Sequence, residues 1–213
     1  MEAPARTDRR RARTRAALLR AGQALFAARS VDGVSIDDIV AAADVAKGSF
    51  YNHFPDKEAL ARAIGEEVRR AAEALAAEVG AGFDDPAERV ARALCGFVRQ
   101  AAAEPERARA MQRLFPAAAV PDAPMNAGVR ADVAAGLEAG RFKGLGQEAA
   151  VLTAVGLVQA AVARAVGPES AKPTRLAREM AFALLRGLGV NPDEAQVIAA
   201  RASTDILEWE KAR

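Results

Sequence analysis

Apolar residues recur at spacings of three and four along almost the whole chain, and no stretch carries a convincing strand-like alternation. The pattern predicts an all-α protein. Leu18, Ala21, Leu25 and Phe26 line one face of a first helix over residues 8–29, and Gly33 follows as a turn residue. Ser35 opens a short second helix with Ile36, Ile39, Val40 and Ala43 on its inner face. Ser35 and Asp38 stand at capping-box spacing: the hydroxyl can accept from the Asp38 amide while the carboxylate reaches back. The turn "ADVA" (43–46) leads to a short third helix over 47–53. Pro55 stops it, because proline lacks an N–H and biases Phe54 away from helix.

Longer helices are predicted at 56–79, 86–103, 106–115, 125–139, 147–166, 172–188 and 193–210. Their punctuation is "GAGFDDP", Glu104-Pro105, the proline-rich loop "FPAAAVPDAP" (115–124), "GRFKGLG", "GPESAKP" and "GLGVNP". A change from short to long helices near residue 56 predicts two domains, 1–56 and 57–213.

Composition narrows this picture. With 213 residues, 51% of them hydrophobic and 27% charged, the chain is an ordinary globular protein with room for a substantial core. Net charge is only +2, yet residues 1–20 hold seven arginines against Glu2 and Asp8, a basic arm suited to a polyanion. Cys95 is the only cysteine, so no intramolecular disulfide is available, and a reducing cytoplasm fits. The N-terminal region lacks the apolar stretch of a signal peptide. The uncharged run from Ala149 to Ala163 is too short for a bilayer, so a buried core helix and no membrane partner are expected.

The candidate chemistry lies in "AKGSFYNHFPDKEAL" (46–60), which holds Phe50, Tyr51 and Phe54 around His53, the chain's only histidine. Two short helices joined by about three residues form the layout of a helix-turn-helix, whose second helix enters the DNA major groove. Ile36, Ile39, Val40, Val45, Phe50 and Phe54 can share a small core with Leu18, Leu25 and Phe26. Lys47, Gly48, Ser49, Tyr51, Asn52 and His53 then face outward. Ser49 and Asn52 can hydrogen-bond base edges, and Gly48 permits close backbone approach. Lys47, Tyr51, His53 and Lys57 suit phosphate oxygens.

The segment "GVSIDDIVAAADVAKGSFYNHFPDKEALARAI" (33–64), with the helix before it, resembles the DNA-binding region of the TetR family of transcriptional repressors. The resemblance covers roughly residues 13–64. It implies a homodimer on a roughly palindromic double-stranded operator, an N-terminal three-helix helix-turn-helix domain, and a C-terminal helical bundle for dimerisation and for an unidentified small-molecule effector. It also implies that Ser35 and Lys57 are flanking phosphate contacts. Two positions depart from the family pattern. Asp44 stands where glycine is usual at the turn, and Ala46 stands where Ser or Thr usually caps the recognition helix.

In the C-terminal part, Thr153, Gly156, Ala160 and Ala163 share one helical face, and Leu176, Met180, Leu184 and Leu188 share another. Two copies of this pair could form a four-helix dimer interface, the usual arrangement in the family; alternatively both stripes are core within one subunit. Cys95, Phe97, Met111, Phe115, Met125 and Gln159 are the candidate lining of an effector pocket, although Met and Phe at helical spacing also serve as packing. With one His, one Cys and no Glu-x-x-His, neither a metal site, a cofactor nor a catalytic pair is expected, and neither is an enzyme. The alternative to a DNA-binding regulator is a helical adaptor without specific DNA binding.

Overall fold

The computed structural model describes residues 6–114, 126–167 and 172–207. Among them are ten helices and no strand. They are α1 (Arg6–Ala28), α2 (Ile36–Ala43), α3 (Lys47–Tyr51), α4 (Lys57–Gly80), α5 (Pro86–Ala103), α6 (Pro105–Leu114), α7 (Ala127–Glu138), α8 (Gln147–Ala165), α9 (Pro173–Gly187) and α10 (Pro192–Leu207). The proline-punctuated loop at 115–124 lies outside the described residues. The arginine-rich segment read as an arm is already helical from Arg6.

The chain folds as two units, and the first reaches Val68 rather than ending near residue 56. Leu60 and Ile64 on α4 are buried with Leu18, Leu19, Phe26, Val34, Ile39, Val40, Phe50 and Phe54 in one core. The first turns of α4 therefore belong to the helix-turn-helix. Helical periodicity shows that Leu60 and Ile64 share a face but not which neighbour that face meets.

Local chemistry sets the α2–α3 corner. Ser35 Oγ accepts from the Asp38 amide at 3.1 Å, and Asp38 Oδ2 accepts from the Ser35 amide at 3.1 Å, completing the expected capping box. The Ser35 amide, and after it the Ser35 side chain, hold the Asp38 carboxyl below its ordinary pKa, with Arg29 adding to the effect. After α2, Asp44 adopts the left-handed conformation (φ 53°, ψ 51°), and the Val45 amide closes the turn onto the Val40 carbonyl at 3.1 Å. Ala46 is extended at the N-cap of α3 and offers no side-chain hydrogen bond. The α3 helix is shorter than expected because its end tightens: His53 and Phe54 amides both donate to the Phe50 carbonyl at 2.9 Å before Pro55.

The second unit is built around α5, which packs against α7, α8, α9 and α10. Its core takes Leu94, Cys95 and Val98 from α5, Val151 and Val155 from α8, Leu184 and Leu185 from α9, and Ile198 and Ile206 from α10. Charged groups join the helix ends. Arg141 bridges Asp85 at 2.9 Å and Glu194 at 2.7 Å, and this guanidinium is the main reason the Asp85 carboxyl is held low. Arg92 is buried: its Nε donates to the Val79 carbonyl at 2.6 Å, its Nη1 pairs with Asp205 at 2.8 Å, and its guanidinium lies 4.1 Å from the Phe83 ring centroid. Glu88, also buried, pairs with Arg201. Gly136 is buried against the ring of Phe142, where a Cβ would overlap the aromatic carbons.

Two stability changes are expected. Gly136→Ala should destabilise the protein by about 1–3 kcal/mol, read as a lower chemical-denaturation midpoint, because Phe142 is enclosed and cannot retreat. Ala46→Ser should raise stability by about 1 kcal/mol in the same assay, since the extended backbone at the N-cap already suits a capping hydroxyl.

Candidate nucleic-acid interface

The α3 helix divides sharply into two faces. Phe50 is fully buried and Phe54 nearly so, their ring centroids 5.9 Å apart. Lys47, Gly48, Tyr51 and Asn52 are exposed, while Ser49 and His53 are half-buried. Tyr51 is 53% exposed although its ring stands edge-on to Phe50 at 5.5 Å, so the subunit supports the ring without covering it. Gly48 is more telling. A Cβ there would meet nothing within 4 Å, and the φ of Gly48 is ordinary for an L residue. Glycine within a helix costs about 1 kcal/mol relative to alanine. Nothing in the described subunit requires that cost, whereas close approach by an external backbone would.

The candidate phosphate contacts differ in how free they are. Lys47 Nζ is held by the Asp37 carboxylate, at 2.8 Å from Oδ1 and 3.0 Å from Oδ2, and this partner raises the ammonium pKa. A phosphate reaching Lys47 must compete with Asp37, which the sequence reading missed. Lys57 Nζ donates to the carbonyls of Asp32 and Val34, each at 3.2 Å, so it also ties the α1–α2 connection to the start of α4. Ser35 already uses its oxygen and its amide in the capping box, and its side chain also stabilises the Asp38 carboxylate, so a phosphate would have to compete for it.

Two further cations stand beside this surface. Asp8, Arg11, Ala12 and Arg15 lie one turn apart on a single face of α1, and with His53 they line a shallow cleft of about 320 Å³. Arg15 Nη1 is 3.4 Å from Glu67, and its guanidinium carbon is 5.4 Å from the Phe54 ring centroid. Partial burial, then Arg11 and Arg15, lower the His53 pKa from its usual value near 6.5. The arginine-rich run signalled a polyanion contact, but its meeting with His53 depends on how α1 packs against α3.

The remaining candidates are in the second unit. Cys95 is fully buried in the core, and desolvation pushes its thiol pKa up to about 12, so it is an inert packing residue. Phe97 is partly buried against the same core. Met111 on α6 is half-buried, and the neighbouring Gln112 Nε2 donates to the Gln159 carbonyl on α8 at 3.3 Å. Phe115 and Met125 lie outside the described residues. Of the residues assigned to a dimer interface, Leu176, Leu184 and Leu188 are buried in the subunit's own core and Met180 packs partly against it. The leucine stripe is thus the inner face of an amphipathic helix. The α8 stripe behaves differently: Thr153 is half-buried, whereas Gly156, Ala160 and Ala163 are exposed, as is Leu152. Among the described residues, α8 alone is long and apolar enough to cross a membrane. Its other face packs Ala150, Val151, Ala154, Val155 and Ala161 into the core.

Comparison with known proteins agrees with this geometry. A family model described as "Bacterial regulatory proteins, tetR family" matches residues 18–64, and one described as "Tetracyclin repressor-like, C-terminal domain" matches residues 85–201, more than half of the chain. The HTH-type transcriptional repressor DhaR of Mycobacterium sp. (strain GP1) is 46% identical over 50 residues, covering 24% of this chain and 25% of DhaR. The match therefore spans about a quarter of that relative's length. Solved structures are similar over nearly the whole chain. RolR in complex with resorcinol has a TM-score of 0.58 and 29% identity, covering 91% of this chain and 96% of RolR. A γ-butyrolactone receptor (ArpA-like protein) has a TM-score of 0.65 and 26% identity, covering 92% and 99%. With a helix-turn-helix at residues 18–64 and a matching C-terminal domain, the chain belongs to the TetR family of bacterial regulatory proteins, a family of DNA-binding transcriptional regulators.

Proposed function

We propose that this regulator is a repressor that binds a roughly palindromic DNA operator as a homodimer and leaves it when a small organic effector occupies the C-terminal unit. The observation that carries the DNA reading is the outward face of α3. Lys47, Gly48, Ser49, Tyr51 and Asn52 are presented on a helix anchored from behind by Phe50, and Gly48 leaves room that nothing in the subunit fills. Ser49 and Asn52 read base edges; Lys47, Tyr51 and His53 hold the backbone, with Ser35 and Lys57 flanking.

Homodimerisation is supported by α8. Gly156 is a mid-helix glycine whose Cβ position is empty, and with Ala160 and Ala163 it forms an uncovered small-residue stripe. A second α8 could approach closely there, with Met180 at the margin. The effector reading draws support from resorcinol bound to RolR. Phe97, Met111 and Gln159 are the described side chains proposed to face the effector. Bound effector would favour a state whose recognition helices no longer match half-sites about 34–36 Å apart.

The test is a titration onto the duplex upstream of the protein's own gene. A specific complex should form and weaken by about three orders of magnitude between roughly 50 and 200 mM salt; a helical adaptor would give no specific complex at either. Lys47→Ala should weaken binding to all duplexes and reduce the salt slope by about one per subunit. Asn52→Ala should lose about 1–3 kcal/mol of discrimination between cognate and mismatched bases, with the salt slope retained. Gly156→Arg should give a folded monomer by sedimentation with much weaker operator binding; a dimer of unchanged affinity would move the interface elsewhere.

A further inference from the structure

We infer that the cleft between α1 and the end of α3 is a proton-linked clamp for a DNA backbone phosphate, formed by Arg11, Arg15 and His53. The inference rests on the DNA-binding reading and adds to it a site on α1 and a dependence on pH. Geometry is the first support. Residues 8, 11, 12 and 15 form one face of α1, and that face borders the cleft whose opposite wall is His53. His53 immediately follows Asn52 at the exposed end of the recognition helix, so an anion held here would lie along the backbone flanking the groove.

Charge is the second support. The groups facing His53 are Arg11 and Arg15, with Asp8 the carboxylate in the same cleft; Arg15 also reaches Glu67 on α4. Arg15 is paired with Glu67 and Asp8 shares the cleft, yet the charges acting on the imidazole are those of Arg11 and Arg15, so the potential at His53 is positive. The imidazole registers it: Arg11 and Arg15 both oppose its protonation, adding to the effect of burial. An arrangement that disfavours a cation favours an anion in the same space. A phosphodiester there would offset that positive potential, accept hydrogen bonds from the guanidiniums, and turn the electrostatic preference of His53 around.

The sign of the linkage follows. In the free protein the His53 pKa lies below its usual value. In the complex the neighbouring phosphate stabilises the imidazolium and raises it. Affinity therefore increases as pH falls through the bound-state pKa and levels off below the free-state one. Each subunit takes up a fraction of a proton on binding, with no other bond made or broken.

Because His53 is the only histidine, its imidazole resonances can be followed by NMR in wild-type protein without assignment ambiguity. Titration of free and operator-bound protein should show the His53 pKa rising on binding. Operator affinity should be about three- to tenfold tighter per subunit at pH 6 than at pH 8. His53→Gln should flatten that dependence, and Arg11→Ala should reduce the salt slope by about one per subunit while keeping the base preference. A specific, salt-sensitive complex with the same His53 titration in both states, or with equal pH dependence in wild type and His53→Gln, would overturn the clamp and leave the operator reading standing. Absence of any specific complex at either pH would overturn both. If a few millimolar inorganic phosphate at matched ionic strength shifted His53 as far as the duplex does, the cleft would be a free-anion site instead.

Discussion

A helix of five residues cannot hold its own shape in water, since nucleating one turn costs more than its few hydrogen bonds return. The α3 helix persists because Phe50 is fully enclosed by side chains from α1, α2 and α4. That burial is the constraint on which the recognition surface depends. It fixes the rotation of α3, and the rotation decides which residues reach solvent. With Phe50 and Phe54 inward, Lys47, Gly48, Tyr51 and Asn52 can only point outward. The α2–α3 corner leans on the same core, because its local signals are mixed. Ser35 caps α2 fully, but Asp44 takes a left-handed conformation that suits glycine better, and Ala46 contributes no cap. Packing makes up for what the turn lacks.

How much could be read from the sequence follows from this division of labour. Helical period, prolines and the Ser35–Asp38 spacing depend on neighbours along the chain, and the ten helices emerged close to their expected limits. The aromatic core did too, since Phe50 and Phe54 had no other apolar surface within reach of one short helix. What was not legible depends on contacts between distant segments. Leu60 and Ile64 carry the first unit past residue 56 because α1 and α2 receive them. The α9 leucines turn inward because α5 and α10 cover that face. Lys57 finds two carbonyls and Lys47 finds Asp37, neither near in sequence.

Asp37 makes recognition an exchange rather than a simple addition. On the proposed reading Lys47 would leave a carboxylate to meet a phosphate, so its net gain would be a difference between two ion pairs, both solvent-exposed. Sequence choice would then fall to contacts that replace only water, among them those proposed for Ser49 and Asn52. The same reasoning separates the two cation groups of the first unit. Lys47 is paired with Asp37, whereas the charges acting on His53 are those of Arg11 and Arg15.

Features whose cost is not repaid inside a subunit are the most informative about what lies outside it. Gly48 stands in the first turn of α3 and Gly156 in the interior of α8; both would admit a Cβ without contact, and alanine would serve the isolated subunit better at either. Arg11 and Arg15 crowd an imidazole that they electrostatically oppose. By contrast, Gly136 and Phe50 are fully explained by the neighbours that enclose them. The first set supports the proposed surfaces for approach by another molecule: a duplex at α3 and near the start of α1, and a second subunit at α8. The second set marks the scaffold that holds those surfaces in place. A protein can keep a small local penalty where binding offsets it, and α3 shows both kinds of residue within a single turn, with Gly48 beside Phe50.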